Sequence, residues 1–272
     1  MSDFTDANRL NWDDRAKLHR TDATGTYSIE KVLAGGDNLH AIEAGEIGDI
    51  AGKRLIHLQC HIGLDTISLA GRGAIATGLD FSPEALDAAR SFAARAGRTI
   101  RFVQSDVYDA PTALGETYDV AYVTWGAINW LPDIFRWAET VADLLDAGGF
   151  LYLAESHPST LCLEEVDGRI VAKYDWRTPL ERPLIFDDAT TYTGDARPVA
   201  HPRTYEWIHP LSDIVSALSA AGLNIEWLHE HEFLPYRLFP KMVPADSFGL
   251  FRLPEGEPRL PLSFSLRALK RG

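Results

Sequence analysis

Between Lys53 and Glu155 five short apolar runs alternate with helix-forming segments, and this alternation restricts the fold more than any other feature of the chain. Arg54-Leu55-Ile56-His57-Leu58 comes first. Ala74 to Leu79 follows and ends at Asp80; then come Ile100-Arg101-Phe102-Val103, Tyr118 to Val123, and Phe150 to Ala154. Runs this short, bounded by turn residues, read as buried strands. Between the first two, Asp65 to Ala70 opens a helix that Gly71 and Gly73 close. Ser82-Pro83-Glu84 starts another, with Ser as N-cap, Pro at the first helical position and an acid in the first turn; it reaches Ala96 before Gly97. A third spans Pro132 to Leu145, ahead of Gly148-Gly149. Strands alternating with helices mean βαβ units and a parallel sheet. Right-handed crossovers make it doubly wound.

After Glu155 the alternation stops. Residues 158 to 206 carry prolines at 158, 179, 183, 198 and 202, with short β-like runs at Ile170-Val171-Ala172 and Leu184-Ile185-Phe186. This segment reads as an insertion. The rhythm returns with a helix from Ser212 to Ala221 and a strand from Asn224 to Leu228. A second irregular stretch, Leu234 to Pro261, precedes a final strand from Leu262 to Ala268. Its alternating apolar residues suit an antiparallel strand. The first fifty residues read as helical, with Asn11 to Leu18 free of breakers and an amphipathic stretch from Leu39 to Ile50. The expected organisation is a helical cap over 1–50, a core domain over 51–157 and 207–272, and the insertion 158–206 as a lid or wall.

Composition narrows the function. Lys and Arg total 26 against 39 Asp and Glu, a net charge of −13 and a pI near 5.1. Such a chain lacks the basic footprint of a general nucleic-acid or anionic-membrane binder. Cys60 and Cys162 make no disulfide framework and no Cys-x-x-Cys metal spacing; no metal is expected. Met1 to Asn8 is polar and acidic, unlike a signal peptide, and no apolar run is long enough to span a bilayer. The expectation is a cytoplasmic protein.

In open α/β sheets, ligands bind outside the carboxyl ends of the strands, and four such ends stand out. The turn Gln59-Cys60-His61-Ile62-Gly63-Leu64 leads from strand to helix, where backbone N–H groups approach a ligand closely. Gly-x-Gly-x-x-Gly is absent, against a nicotinamide or flavin dinucleotide. Asp80, in Asp80-Phe81-Ser82-Pro83, lies seventeen residues after Gly63, near the ~20 expected of an acid that holds a ribose; Ser82 already fills the N-cap place. Asp106, in Ser105-Asp106-Val107, is placed to accept from an adenine amino group, or is a turn Asp. Thr124-Trp125-Gly126-Ala127-Ile128-Asn129-Trp130 would wall a pocket, or pack in the core.

These features in one frame resemble a class I S-adenosylmethionine-dependent methyltransferase: the turn around Gly63, Asp80-x-Ser-Pro, Ser105-Asp106-Val107, and Tyr118-Asp119-Val120 followed by Gly148-Gly149. Leu58-Gln59-Cys60-His61-Ile62-Gly63-Leu64-Asp65-Thr66, with Trp130-Leu131-Pro132-Asp133 and Leu260 to Leu266, is similar to a bacterial small-molecule subgroup. The resemblance implies a Rossmann-like α/β fold, a doubly wound seven-stranded sheet with only the last strand antiparallel. It implies S-adenosylmethionine as cofactor, with Asp80, Phe81 and Ser82 at the ribose and Asp106 and Val107 at the adenine. Gln59, His61, Gly63, Leu64 and Thr124 would surround the methionine part. Arg15, on an N-terminal helix that in the family closes over the cofactor, would meet its carboxylate bidentately or form a surface salt bridge.

The sequence departs from the family's acid followed by Gly-x-Gly-x-Gly. His57 holds the acid's place, Gln59 and His61 those of the first two glycines. A carbonyl near Thr124, or the side chains of Gln59 or Asp65, would then take the cofactor's ammonium. Cys60 reads as a small buried hydrophobe. His157, after the fifth strand, is the candidate general base, or else orients the acceptor. Trp125, Asn129, Trp130 and Tyr192 are candidate acceptor contacts, with Tyr174, Trp176 and Phe186 giving the insertion apolar surface. The expected activity is methyl transfer to N or O of a small aromatic or heterocyclic metabolite. The other reading is a regulatory or structural cofactor-binding protein without that chemistry. Expected partners are a small-molecule acceptor and, for assembly, a homodimer; no nucleic acid and no membrane.

Overall fold

The computed structural model describes residues 3–245 and 249–272; part of the irregular stretch 234–261 therefore lies outside the described residues. Seven strands form one sheet: β1 (Arg54–Leu58), β2 (Ile75–Asp80), β3 (Arg101–Gln104), β4 (Tyr118–Thr124), β5 (Leu145–Ser156), β10 (Leu223–His231) and β13 (Ser263–Lys270). Their spatial order is β10-β13-β5-β4-β1-β2-β3. Pairs β1–β2, β1–β4, β2–β3 and β4–β5 are parallel, and β13 runs antiparallel to both neighbours. This is the doubly wound sheet expected from the alternation, with its last strand reversed.

Residues of one strand face opposite sides of a sheet in turn, and the core divides accordingly. Ile56, Leu58, Ala121, Val123, Leu151 and Leu153 pack on one side. They meet α6 (Ala110–Leu114), α7 (Ile134–Leu144) and α9 (Leu211–Ala220). Leu55, Val120, Tyr122, Phe150 and Tyr152 pack on the other. The helices α4 (Leu64–Gly71) and α5 (Pro83–Arg95) flank β2, and Ser82 caps α5 by accepting from Ala85 N–H at 3.1 Å.

Of the first fifty residues, α1 (Asp3–His19) is long, while α2 (Ile29–Leu33) and α3 (Ala41–Glu46) are short. The expected amphipathic stretch 39–50 is thus helical only over α3. The insertion holds the short helix α8 (Pro158–Leu161) and two hairpins: β6 (Leu163–Val166) with β7 (Arg169–Ala172), and β8 (Leu184–Asp187) with β9 (Arg203–Glu206). In the second irregular stretch, β11 (Val243–Pro244) pairs with β12 (Phe251–Arg252) over two residues each.

Helix α1 joins the cap to the insertion. Asn8 donates to Tyr205 O and accepts from Tyr205 N–H, at 2.7 and 2.8 Å. Asn11 donates to His201 O, and Asp14 accepts from Ala200 N–H and His201 N–H. On its other side Asp13 accepts from Ser82 Oγ at 2.6 Å. Cap and insertion therefore meet above the carboxyl ends of β1 and β2. Among the described residues no helix is long and apolar enough to cross a membrane.

Candidate functional site

The turn after β1 keeps the backbone of a glycine-rich loop without most of its glycines. Gln59, His61 and Gly63 all have positive φ, at 55°, 49° and 75°. This left-handed conformation costs a non-glycine residue ~1–2 kcal/mol. Strain of this kind persists where surroundings over-determine it, commonly at binding sites. Here both side chains are tethered. Gln59 Nε2 donates to Ala127 O at 2.8 Å, and His61 Nε2 lies 2.8 Å from His19 Nδ1. Gly63 has no such freedom, because a Cβ there would stand 2.7 Å from the Ala89 Cβ.

Asp80 closes the turn. Its carboxylate accepts from His61 N–H at 2.8 Å and from Ser82 N–H at 2.9 Å. Burial raises its pKa to about 6 against the pull of these donors. Each oxygen keeps a second lone pair, so the carboxylate remains able to accept from two ligand hydroxyls. Asp106 caps the next turn by accepting from Tyr108 N–H at 2.9 Å; burial raises its pKa. Val107 is buried in the core cluster of Ile56 and Leu58, and Leu64 in a separate one with Ala85 and Ala89 of α5, so each would offer backbone or a methyl edge. Thr124, buried, ends β4 beside the turn, and Phe81 follows Asp80. His57, in the place of an acid, is buried with Nδ1 2.9 Å from Thr66 Oγ1. Burial lowers its pKa to about 4, so it is neutral. Cys60 is a buried free thiol whose pKa burial raises.

Over this floor stands an aromatic cage. Trp12 meets His61 edge-on at 5.1 Å and Trp130 at 5.3 Å. Tyr27 Oη lies 2.5 Å from Tyr192 Oη, and His19 Nε2 2.5 Å from Thr191 Oγ1. Burial brings the pKa of His61 to about 3 and that of His19 to about 2, so both rings are neutral. Arg15 lies within it at 6% exposure, its guanidinium 5.3 Å from the Trp12 ring, 5.8 Å from Trp130 and 5.9 Å from Tyr192. Among the described residues it forms no ion pair, and its Nε has no partner. Gln59 Oε1 is likewise buried without a partner. The buried cation and the buried acceptor are opposite halves of what an amino acid would satisfy.

Glu155 was missed by sequence reasoning. Buried at 2% exposure, it accepts from the N–H groups of Gly126 (2.6 Å), Ala127 (2.5 Å), Ile128 (2.9 Å) and Ser156 (3.3 Å). Burial raises its pKa and these donors oppose the rise. It thereby fixes the loop carrying Trp125, Asn129 and Trp130. An acid on a strand ahead of a proline was its only signal.

The candidate acceptor residues do not all gather. Trp130 joins the cage and Asn129 faces the insertion, donating to Glu206 at 2.9 Å. Trp125 turns away: its Nε1 donates to Glu43 of α3 at 3.1 Å, and it packs beside Tyr122 and Tyr152. Tyr192 contributes to the cage although half of it is exposed, and Trp176, under Arg177, is 60% exposed and makes no ring contact with the cage among the described residues. Tyr174 and Phe186 pack edge to face and line a cavity of about 260 Å³ with Asn129, Glu206 and Trp207. His157 is the N-cap of α8, its Nδ1 accepting from Ser159 N–H, and its Nε2 lies 3.0 Å from Glu230. Burial lowers its pKa. None of its contacts borders the cage. No cluster able to hold a metal occurs among the described residues.

Residues 56–151 match the profile of a methyltransferase domain. Over 105 residues the chain is 30% identical to a ubiquinone biosynthesis O-methyltransferase of Vibrio campbellii, covering 39% of this chain and 44% of that protein. The chain thus spans under half the length of the curated relatives it matches. Among solved structures, an S-adenosylmethionine-dependent methyltransferase from Mesorhizobium loti superposes with a TM-score of 0.58 at 19% identity, over 84% of this chain and 95% of that one. Magnesium protoporphyrin IX methyltransferase from Synechocystis PCC 6803 superposes with a TM-score of 0.55 at 16% identity, over 99% and 100%. The fold is that of the Rossmann-like methyltransferases.

Proposed function

We propose that this chain binds S-adenosylmethionine and transfers its methyl group to N or O of a small aromatic or heterocyclic acceptor. The observation that carries the reading is a pair of buried groups facing the turn: the Arg15 guanidinium, set among aromatic faces with no ion pair among the described residues and no partner at Nε, and Gln59 Oε1, which has no hydrogen-bond partner. Burying a charge without a partner is unfavourable, so their placement fits a ligand that brings a carboxylate and an ammonium. Arg15 would hold the carboxylate bidentately and Gln59 Oε1 the ammonium. Asp80 would take the ribose hydroxyls and Asp106 the adenine amino group. When bound, the sulfonium supplies an activated methyl, so the protein's part is alignment and exclusion of water.

The cage supplies both. Trp12, Tyr27 and His19 come from the cap, Tyr192 and Thr191 from the insertion, and their contacts close the turn from above. The insertion serves as lid and acceptor wall. His157 is assigned to orienting the segment after β5, since its ring is engaged by Ser159 and Glu230. The small-molecule subgroup suggested by Leu58 to Thr66 fits an enclosed acceptor space. The test is a methyl-release assay with a panel of aromatic amines, phenols and heterocycles. Turnover of at least one class supports transfer. Tight cofactor binding with no turnover across the panel would favour the regulatory reading.

A further inference from the structure

Next to the loop that carries Asn129 and Trp130 lies the 260 Å³ cavity, and Arg15 of the cage is within electrostatic reach of its Glu206. Its lining is apolar except for Asn129, Glu164, Asp188 and Glu206; no Lys, Arg or His contributes. Leu184, Phe186, Tyr174, Trp207 and Phe239 form the walls. Glu206 ends β9 and is half-buried. Asn129 donates to its Oε2, and among the described residues Oε1 has no hydrogen-bond partner. Glu164 is already paired with Lys173, and Asp188 is exposed at the rim. Trp207 N–H, just past the end of β9, donates to Asn129 O at 2.8 Å and ties one wall of the cavity to the Asn129 loop.

Resting on the methyl-transfer reading, we propose that this cavity receives a protonated amine carried on an aromatic or other apolar body, and that Glu206 binds its ammonium and takes the proton. An apolar pocket with a few convergent polar groups is the usual form of a small-molecule site. An anionic acceptor would meet the Glu206 carboxylate inside and Asp188 at the rim, whereas an ammonium gains a charge-assisted bond. The proton step is simple. The N–H bond of the ammonium breaks and an O–H bond forms on Glu206, while the bonding pair stays on nitrogen as the lone pair that methylation requires. The proton returns to solvent after the product leaves. Burial raises the Glu206 pKa to about 7, with Asp188 adding to the rise and Asn129 and Arg15 opposing it. A carboxyl titrating there is matched to proton transfer at neutral pH. Tyr236, whose Oη pairs with Ser156, is a further titratable group that feels the charge of Glu206.

The test uses 2-phenylethylamine and its neutral isostere 2-phenylethanol as probes, titrated calorimetrically into the full chain at pH 8. The amine should bind at least tenfold more tightly than the alcohol. In Glu206→Gln that gap should shrink to within twofold, with folding checked by circular dichroism. A second readout does not need the variant. At pH 6 wild-type amine binding should release a proton, seen as a heat that depends on the buffer's ionisation enthalpy. Equal binding of the two probes, no binding of either, or a gap that survives in Glu206→Gln would overturn the proposal. A separate titration of wild type with S-adenosylmethionine reports on the methyl-transfer reading alone, so failure of one is distinguishable from failure of the other.

Discussion

Replacing Glu155 by Gln is the sharpest test of how the acceptor loop is held. The carboxylate accepts four backbone N–H bonds, three of them at 2.9 Å or less. A glutamine oxygen in the place of Oε1 keeps Ala127 and Ile128. Its NH2 group then faces Gly126 N–H and Ser156 N–H, donor against donor. A hydrogen bond to a charged group contributes ~1.5–3 kcal/mol, and an unsatisfied buried donor costs ~1–3 kcal/mol. Removing a desolvated charge offsets part of this, leaving a destabilisation of about 2 kcal/mol by the same bookkeeping. For a chain of this size ~2–4 °C is lost per kcal/mol, so the melting temperature should fall by roughly 4–8 °C. Differential scanning calorimetry measures it, and Trp fluorescence reports whether the loop around Trp125 and Trp130 loosens. A fall under about 1 °C, against that expectation, with unchanged fluorescence would refute the reasoning.

Other outcomes follow from the same geometry. Gln59→Gly removes left-handed strain of ~1–2 kcal/mol but loses the bond to Ala127 O, so chemical denaturation should place its stability within about 1 kcal/mol of wild type; a loss above about 3 kcal/mol would contradict it. Acid should destabilise the protein, because His19, His57 and His61 are held neutral with pKa values of about 2, 4 and 3. The unfolded chain binds protons below 6.5 that the folded chain does not, so this stability is present above 6.5 and lost as pH falls, at ~1.4 kcal/mol per unit for each group. Asp80 and Glu206, raised to about 6 and 7, work in the opposite sense until the pH is below their ordinary carboxylate range. Melting temperature should therefore decline gently below pH 6.5 and steeply below about 4.5; a rise on acidification through that lower range would count against neutral histidines. Tyr192→Ala should raise the acceptor KM, while Trp176→Ala leaves kinetics unchanged; steady-state assays giving the reverse order would displace the insertion from its role.

The parallel strands, the capped helix after Ser82 and the reversed last strand were legible because periodicity and capping are local signals. Asp80 and Asp106 stood out for the same reason, each at the end of a strand. The positions of Gln59 and His61 could be matched to missing glycines, but their left-handed backbone depends on tethers to Ala127 and His19, far apart in sequence. The cage was only partly visible, since Arg15 and Tyr192 are brought together by α1 binding the β8–β9 hairpin. Trp125 and Trp130 look alike in sequence, yet one meets Glu43 and the other Trp12. Glu155 and Glu206 carry no motif; the backbone N–H groups around the first and the cavity around the second set their roles, and both come from chain far away in sequence.

Calorimetric titration of S-adenosylmethionine into wild type and into Arg15→Ala tests the central claim most directly. The account predicts one site in wild type. In the variant it predicts a loss of roughly 10- to 150-fold, the equivalent of ~1.5–3 kcal/mol for one charged hydrogen-bonding partner, while the thermal stability of the free protein changes less than its affinity. Absence of binding to wild type, or equal affinity in a folded Arg15→Ala, would contradict it.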